Sequence, residues 1–472
     1  MSSYWKAGAR TAAAWTVVVA LGLGTSQAAR AENLADAMIG AYNTSGLLEQ
    51  NRAVLRAADE DVAAAVSTLR PVVDFVARAV ASNDRLKPSG VLNELVSSRI
   101  TAGLEATIIL YDGGARQLGI LAAKEIVLAT RQSLVSFEQQ VLLRAVAAFM
   151  DVILQTENVS LRENNVRVLG EELKASQDRF EVGEVTRTDV ALAESRLAAA
   201  RSNLAAARGA LVSARAEYEN VVGRKPGNLV PPRNLPQRAA SIDAATAVAV
   251  RIHPNILSAQ RQVAAREIQI QQATKSLGPT VDGAFSAGLI EDYNRDNDGY
   301  DSAVSLNLRQ PIYRGGALQS SIRSAMADRD AARGNLLTVQ RDTMQAVNNA
   351  FVRLEVARAS LAATAERVRA ARVAFDGIRE EATLGARTTL DVLTAEQELL
   401  DALTAQISAR AEEAIASYQL LAAQGLLTAE RMGLAVQIYD PTIYYNLAKD
   451  APATRSKQSR DLDRVLEALG KR

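Results

Sequence analysis

The side chains able to do chemistry in this 472-residue chain are few and scattered. There is one histidine, His253, and it stands directly before Pro254, where a loop gives way to a helix start. Cysteine is absent, which excludes thiol catalysis, thiolate metal sites and lipidation on an N-terminal cysteine. No Gly-x-Ser-x-Gly elbow, no His-Glu-x-x-His and no Gly-x4-Gly-Lys-Ser/Thr phosphate loop occurs. The acidic residues are spread over helix faces and suggest no paired-carboxylate site. The residues therefore read as those of a non-enzyme without a cofactor. One carboxylate does recur at fixed spacing, within Gly-x-x-Thr-x-x-Asp-Val. It occurs as Gly183, Thr186, Asp189 and Val190, and again as Gly385, Thr388, Asp391 and Val392, 202 positions later. Read locally, Arg387 and Asp391 are an i,i+4 surface ion pair at a helix start, an interaction of small worth. Asp189, after Thr188, reads as a first-turn acid favoured by the helix dipole.

The elements that carry these carboxylates are duplicated. Tyr111-Asp112-Gly113-Gly114 recurs as Tyr313-Arg314-Gly315-Gly316, again 202 positions on. Upstream, Arg70-Pro71-Val72-Val73-Asp74 matches Gly278-Pro279-Thr280-Val281-Asp282 at an offset of 208. That drift predicts a longer loop in the first hairpin. Each copy reads as helix, two strands, very long helix, tight turn, helix. No proline lies between Pro88 and Pro226 or between Pro311 and Pro441, so long uninterrupted helices are allowed. Residues 115–182 and 317–384 are rich in helix formers. At 1.5 Å per residue each would run on the order of 100 Å, too long for a compact domain. The helices after the turns carry a heptad seam: Val190, Leu197, Leu204, Leu211 and Tyr218, with Ala193, Ala200, Ala207, Ala214 and Val221 three residues on. Leu393, Leu400, Ile407, Ala414 and Leu421 repeat the spacing. An ordinary helix pair in a bundle and the wall of a tube both fit this pattern; length and duplication favour the tube.

Each copy places two alternating segments before its Tyr-x-Gly-Gly turn. Ala102, Leu104, Ala106, Ile108 and Leu110 alternate with Thr101, Gly103, Glu105, Thr107 and Ile109. Val304, Leu306 and Leu308 alternate with Ser305, Asn307 and Arg309, and Val281, Phe285 and Leu289 with Asp282, Ser286 and Gly288. In 72–80, Asp74 and Arg78 share one face, Val73 and Phe75 the other. Such period-two segments about ten residues long fit tilted strands in a bilayer. Four strands cannot close a barrel, whose smallest membrane form has about eight, and open edges are not tolerated in lipid. A membrane reading therefore demands several copies of the chain. Two soluble hairpins capping a coiled-coil scaffold without a pore are the alternative. Aromatic residues make up only 4% of the chain, with Tyr111, Tyr293, Tyr300 and Tyr313 the candidates for an interfacial girdle.

The N-terminus sets the compartment. Lys6 and Arg10 precede the apolar run from Thr11 to Gly24, and Ala29-Arg30-Ala31 forms a small-x-small cleavage site. This is a Sec-type signal peptide over residues 1–31, with Glu32 opening the mature chain. The signal carries three of the 54 basic side chains, none of the 53 acidic ones, and both tryptophans, Trp5 and Trp15. The mature chain is slightly acidic, which does not favour nucleic acid. No mature segment approaches about 18 consecutive apolar residues, so a membrane location would require a barrel.

The order of strand pair, Tyr-x-Gly-Gly, long helix, Gly-x-x-Thr-x-x-Asp-Val and heptad helix, twice over, resembles the TolC family of outer-membrane efflux proteins. The run Asp178-Arg179-Phe180-Glu181-Val182-Gly183-Glu184-Val185-Thr186-Arg187-Thr188-Asp189-Val190 is similar to its type I secretion branch. The resemblance covers nearly all of the mature chain. It implies a mostly α protein with a β-barrel portion: a homotrimer whose 12-stranded outer-membrane barrel, four strands per chain, continues into an α-helical coiled-coil tunnel across the periplasm. It implies a signal peptide at 1–31, a first repeat at 32–222, an equatorial linker at 223–252, a second repeat at 253–426, and an equatorial segment with a mobile charged tail at 427–472. Implied partners are outer-membrane lipid, a periplasmic adaptor protein, and an inner-membrane ABC or proton-driven transporter supplying the energy. Asp391 would line the periplasmic constriction as a ring of carboxylates. Arg387, Thr188 and Asp189 match the latch between neighbouring helices. Val182, Gly183, Glu184 and Leu384, Gly385, Ala386 would be the tips that meet the adaptor, and Tyr111, Gly113, Gly114, Tyr313, Gly315 and Gly316 the barrel-to-tunnel turns. Two departures stand out: the family's second acidic position is Thr394 here, and the latch tyrosine is Ala382. A single acidic ring and a latch with fewer bonds are expected.

Overall fold

The computed structural model describes residues 32–86, 93–293, 299–453 and 456–468. The signal-peptide segment lies outside them. The duplication is visible in the order of elements. Helix α1 (Leu34–Thr44) leads into the first copy: α2 (Gly46–Ser67), β1 (Val72–Leu86), β2 (Asn93–Tyr111), α3 (Ala115–Glu181) and α4 (Arg187–Val222). After α5 (Ile242–Ile252) comes the second: α6 (Pro254–Lys275), β3 (Thr280–Asp292), β4 (Gly299–Arg309), α7 (Ala317–Thr383) and α8 (Thr389–Ala423). Helices α9 (Pro441–Ala448) and α10 (Lys457–Ala468) close the chain. The two long helices have 67 residues each, about 100 Å at the α-helical rise. Among the described residues no helix is long and apolar enough to cross a membrane.

The strands form one antiparallel sheet in the order β1-β2-β3-β4. Its register sorts the side chains by face. Val73, Phe75 and Ala77 stand opposite Ala106, Leu104 and Ala102, and those opposite Phe285, Ala287 and Leu289. Phe285 and Leu289 in turn face Val304 and Tyr300. The other face carries Asp74 opposite Glu105, Arg78 opposite Thr101, and Asp282 hydrogen-bonded to Asn307 at 3.0 Å. One apolar and one polar face run across all four strands, as alternation predicts. At the centre Gly103 meets Gly288, and a Cβ on Gly103 would come within 2.4 Å of the Ala287 carbonyl. Only glycine permits that approach. The edges, β1 and β4, each leave one row of backbone groups unpaired within the chain. The predicted difference between the hairpins is relocated by the structure. Six residues separate the strands in both, and the first hairpin is longer because its strands have 15 and 19 residues against 13 and 11. Extra length was absorbed by pairing, which satisfies backbone groups that a loop would leave open.

The Tyr-x-Gly-Gly turns convert strand to helix. Gly113 and Gly114 have φ of 66° and 86°, and Gly315 and Gly316 have 58° and 85°, a region that side chains with a Cβ enter at a cost of roughly 1–2 kcal/mol. In the first copy Asp112 also accepts from the amides of Gly114 and Arg116 and pairs with the Arg116 guanidinium at 2.9 Å. Arg314 occupies that place in the second copy and cannot accept.

The heptad seam of α4 is buried from Ala193 through Val221 at every predicted position. Helix α8 differs from a simple seam. Leu393, Leu400 and Ala414 are buried, but so are Val392, Ala395, Ala402, Ala409, Ala411 and Ala416. The reason is that α8 packs on both α7 and α3. The largest core lies midway along the helices, where Phe149, Leu142 and Val146 of α3 meet Tyr218 and Val222 of α4, Tyr418 of α8 and Leu427, Ala429 and Leu434 beyond it. Glu32 is pinned beside it. Its carboxylate accepts from the Tyr218 hydroxyl at 2.6 Å, the Arg224 guanidinium and the Gly227 amide at 3.1 Å. Burial opposes that charge, but these hydrogen bonds together hold the carboxyl below its usual range. Residues 457–468 form α10, with Leu462, Val465 and Leu466 on one face, packed near α9.

Candidate functional site

The two helix turns at the far end from the sheet are built alike, and their sequence signature explains why. Helix α3 stops at Gly183, whose φ of 81° reverses the chain. Its amide donates to Phe180 and the next amide, of Glu184, donates to Arg179. Gly385, at φ 76°, does the same with Ala382, and Ala386 with Glu381. These paired bonds close the open carbonyls of a helix end in a Schellman motif. Three residues after each glycine, threonine starts the next helix. Thr186 receives the Asp189 amide on its hydroxyl, while the Asp189 carboxylate takes the Thr186 amide at 2.9 Å and hydroxyl at 2.8 Å. Thr388 and Asp391 repeat this at 3.0 and 2.8 Å. Gly-x-x-Thr-x-x-Asp is thus a helix stop, a two-residue bend and a capping box.

The capping box sets the electrostatics. Hydrogen bonds from the Thr388 amide and hydroxyl hold the Asp391 carboxyl below the ordinary carboxylate range, and Thr186 does the same for Asp189. Both are solvent-facing and remain ionised at any pH above that range. The tips expose their apolar residues: Val182 is 71% and Leu384 79% exposed. Glu184 and Ala386 are exposed beside them.

One sequence expectation is revised here. Arg387 is not on the helix; it precedes the cap Thr388, and its guanidinium pairs with Glu381 at 2.8 Å rather than with Asp391. Asp391 already spends its oxygen on Thr388, and Arg387 adds only a weaker Coulombic influence. Thr188 is exposed in the first turn of α4, and Thr186 is that helix's cap. Ala382, where the resemblance expects a latch tyrosine, is buried among Phe375, Val392 and Ala395. Thr394 bonds its own helix at the Leu390 carbonyl. The capping role of Thr186 and Thr388, both named in the repeated motif, escaped the sequence reading, although Thr-x-x-Asp is a capping-box spacing. Thr388→Ala is expected to weaken α8 by about 1 kcal/mol, seen as faster amide exchange in its first turn. Thr188→Ala should change exchange in α4 by no more than about 0.5 kcal/mol equivalent.

The profile of the outer membrane efflux protein family matches residues 41–224 and 248–426. The chain belongs to that family. Outer membrane efflux protein BepC of Brucella suis biovar 1 is 36% identical over 434 residues, covering 90% of this chain and 92% of BepC. Proteases secretion protein PrtF of Dickeya chrysanthemi is 25% identical over 83% of this chain and 87% of its own. Among solved structures, the outer-membrane channel OprN superposes with a TM-score of 0.72 at 21% identity, over 83% of this chain and 89% of that one. The Campylobacter jejuni CmeC outer membrane channel gives 0.73 at 15%, over 89% and 90%. These two likenesses carry the fold: long helices joined to a small antiparallel sheet. As an outer membrane efflux protein the chain is located in the outer membrane, with its helices forming the periplasmic part, and it belongs to a family of channels rather than enzymes.

Proposed function

We propose that three copies of this chain close a 12-stranded barrel and a continuous helical tunnel, forming a passive outer-membrane duct. The sheet carries this reading. It has one apolar and one polar face, and two unpaired edges that lipid will not tolerate open. Pairing β1 of one copy with β4 of the next satisfies both edges and turns the apolar face to lipid. The helices then extend the bore by about 100 Å, and the turns at 182–188 and 384–391 become its periplasmic mouth. Asp391 from each copy lines that mouth as a ring of fixed negative charge, favouring cations. Arg387, Thr188 and Asp189 contribute to holding neighbouring hairpins together there. The exposed Val182 and Leu384 at the tips offer apolar contacts to a periplasmic adaptor. An inner-membrane transporter supplies the energy, an ABC transporter in type I secretion of proteins or a proton-driven pump in efflux of small molecules. The name of the PrtF relative supports the first route and that of BepC the second.

Purified mature protein should form trimers in detergent and give stable, cation-selective channels in a planar bilayer. A monomeric protein that stays soluble without detergent and gives no channels would overturn the duct and favour a coiled-coil scaffold.

A further inference from the structure

The two helical hairpins, α3/α4 and α7/α8, lie side by side, and a mouth that widens like an iris requires them to part. Most of what joins them near the mouth is apolar: Leu393 of α8 sits among Leu169 of α3 and Leu197 and Ala200 of α4. Two polar residues, Glu396 and Asn165, interrupt this layer. Glu396 of α8 is only 6% exposed. Its Oε1 accepts from Asn165 Nδ2 of α3 at 2.9 Å, and Asn165 is itself buried. Its Oε2 is buried without a partner among the described residues. Counting from Leu393, Glu396 falls at the inward d position of the heptad, where a charge weakens packing and is useful chiefly as a register or switch element.

We propose that Glu396 and Asn165 form a proton-controlled latch between the two hairpins of each protomer, packed when Glu396 is neutral and released when it is ionised. This rests on the duct reading above for its consequence, but not for its chemistry. A carboxylate with one hydrogen-bond donor in an apolar layer lacks the partners that ionisation needs. Burial accordingly pushes Glu396 up to about 7, with Asn165 opposing, Glu172 of α3 adding repulsion and Arg379 of α7 relieving it. Glu172 and Arg379 approach each other at 3.8 Å, so each charge partly cancels the other. Helix α4 adds the apolar Leu197 and Ala200 to the layer. On α8 itself, Asp401 is engaged by Gln397.

The sign follows from linkage. If parting the hairpins returns Glu396 to water, its pKa falls to the ordinary ~4.3. The packed form then binds the proton more tightly. Packing is favoured at acidic pH and is lost progressively as pH rises through about 7. Between those limits the ratio of parted to packed protomers rises up to about tenfold per pH unit. Asp391 does not titrate in this window, because Thr388 holds it low.

The test is open probability in planar bilayers from pH 5.5 to 7.5, for wild type and Glu396→Gln. Glutamine keeps the shape and the acceptor for Asn165 but cannot ionise. Wild-type opening should rise at least about tenfold over this range, while Glu396→Gln stays at the acidic level throughout. A variant that keeps the wild-type profile overturns the latch. The second readout needs no conduction. The chain has no cysteine, so spin labels at Arg167→Cys on α3 and Gln397→Cys on α8 report their separation without background. The distance should lengthen with pH in the wild-type background and stay short with Glu396→Gln. A distance indifferent to pH in the wild-type background also overturns it. Labels that respond while no channel ever opens would leave the latch standing and remove the duct.

Discussion

Asp391→Asn channels should lose most of their block by trivalent cations, by about tenfold or more in blocking concentration at low salt. Asparagine is the informative substitution. Its side-chain oxygen can still accept from the Thr388 amide and hydroxyl, which Asp391 meets at 3.0 and 2.8 Å. The helix start therefore survives while, in the proposed trimer, three charges leave the mouth. Alanine would remove charge and cap together and confuse the two effects. A matched control exists in the same molecule, because Asp189 sits in an equivalent capping box with Thr186. Both carboxylates are held low by the same local bonds, so local chemistry does not distinguish them. Only position in the assembled mouth does. Asp189→Asn, which removes a latch carboxylate and leaves the ring intact, should weaken the block much less than Asp391→Asn does. Equal losses from both substitutions, or no loss from Asp391→Asn, would remove Asp391 from the constriction.

Phe149→Ala should destabilise the chain by about 3–5 kcal/mol. Phe149 is fully buried in the central core, between Leu142, Val146, Tyr218, Val222 and Leu427. This is where both copies and the segment after α8 meet, so the surrounding helices cannot collapse into the space without shifting one another. Truncation at a site exposed in the single chain, Val212→Ala at 67% exposed, should change the chain's stability by no more than about 0.5 kcal/mol. Thermal unfolding followed by helical circular dichroism, in detergent, reads both. A Phe149→Ala protein that melts with Val212→Ala would mean that stability resides along the heptad seams instead.

Much of the architecture was legible residue by residue. The Pro-free spans and the glycines at 183 and 385 marked where 67-residue helices begin and end, because both residue types act on the backbone locally. The α4 seam was readable for the same reason: one helix face pairs with one neighbour, and period alone identifies it. Helix α8 was not, because it serves two neighbours, and a single period cannot describe two contact faces. Arg387 illustrates the other kind of miss. Its spacing from Asp391 fits an ion pair on a helix, but the helix starts two residues later, at Thr389, and Glu381 lies closer across the turn. Glu396 left a trace in the sequence, a charge at a d position, yet its partner Asn165 lies 231 residues away.

The sequence by itself determined the helix lengths, the turns, the strand alternation and the twofold repeat. Each depends on preferences acting over a few residues, or on comparing the chain with itself. Tertiary structure decided which hairpin packs on which, which carboxylate is buried and which is only capped, and where a charge finds its partner. Those outcomes depend on which distant surfaces exclude water together, and no spacing along the chain encodes that distance.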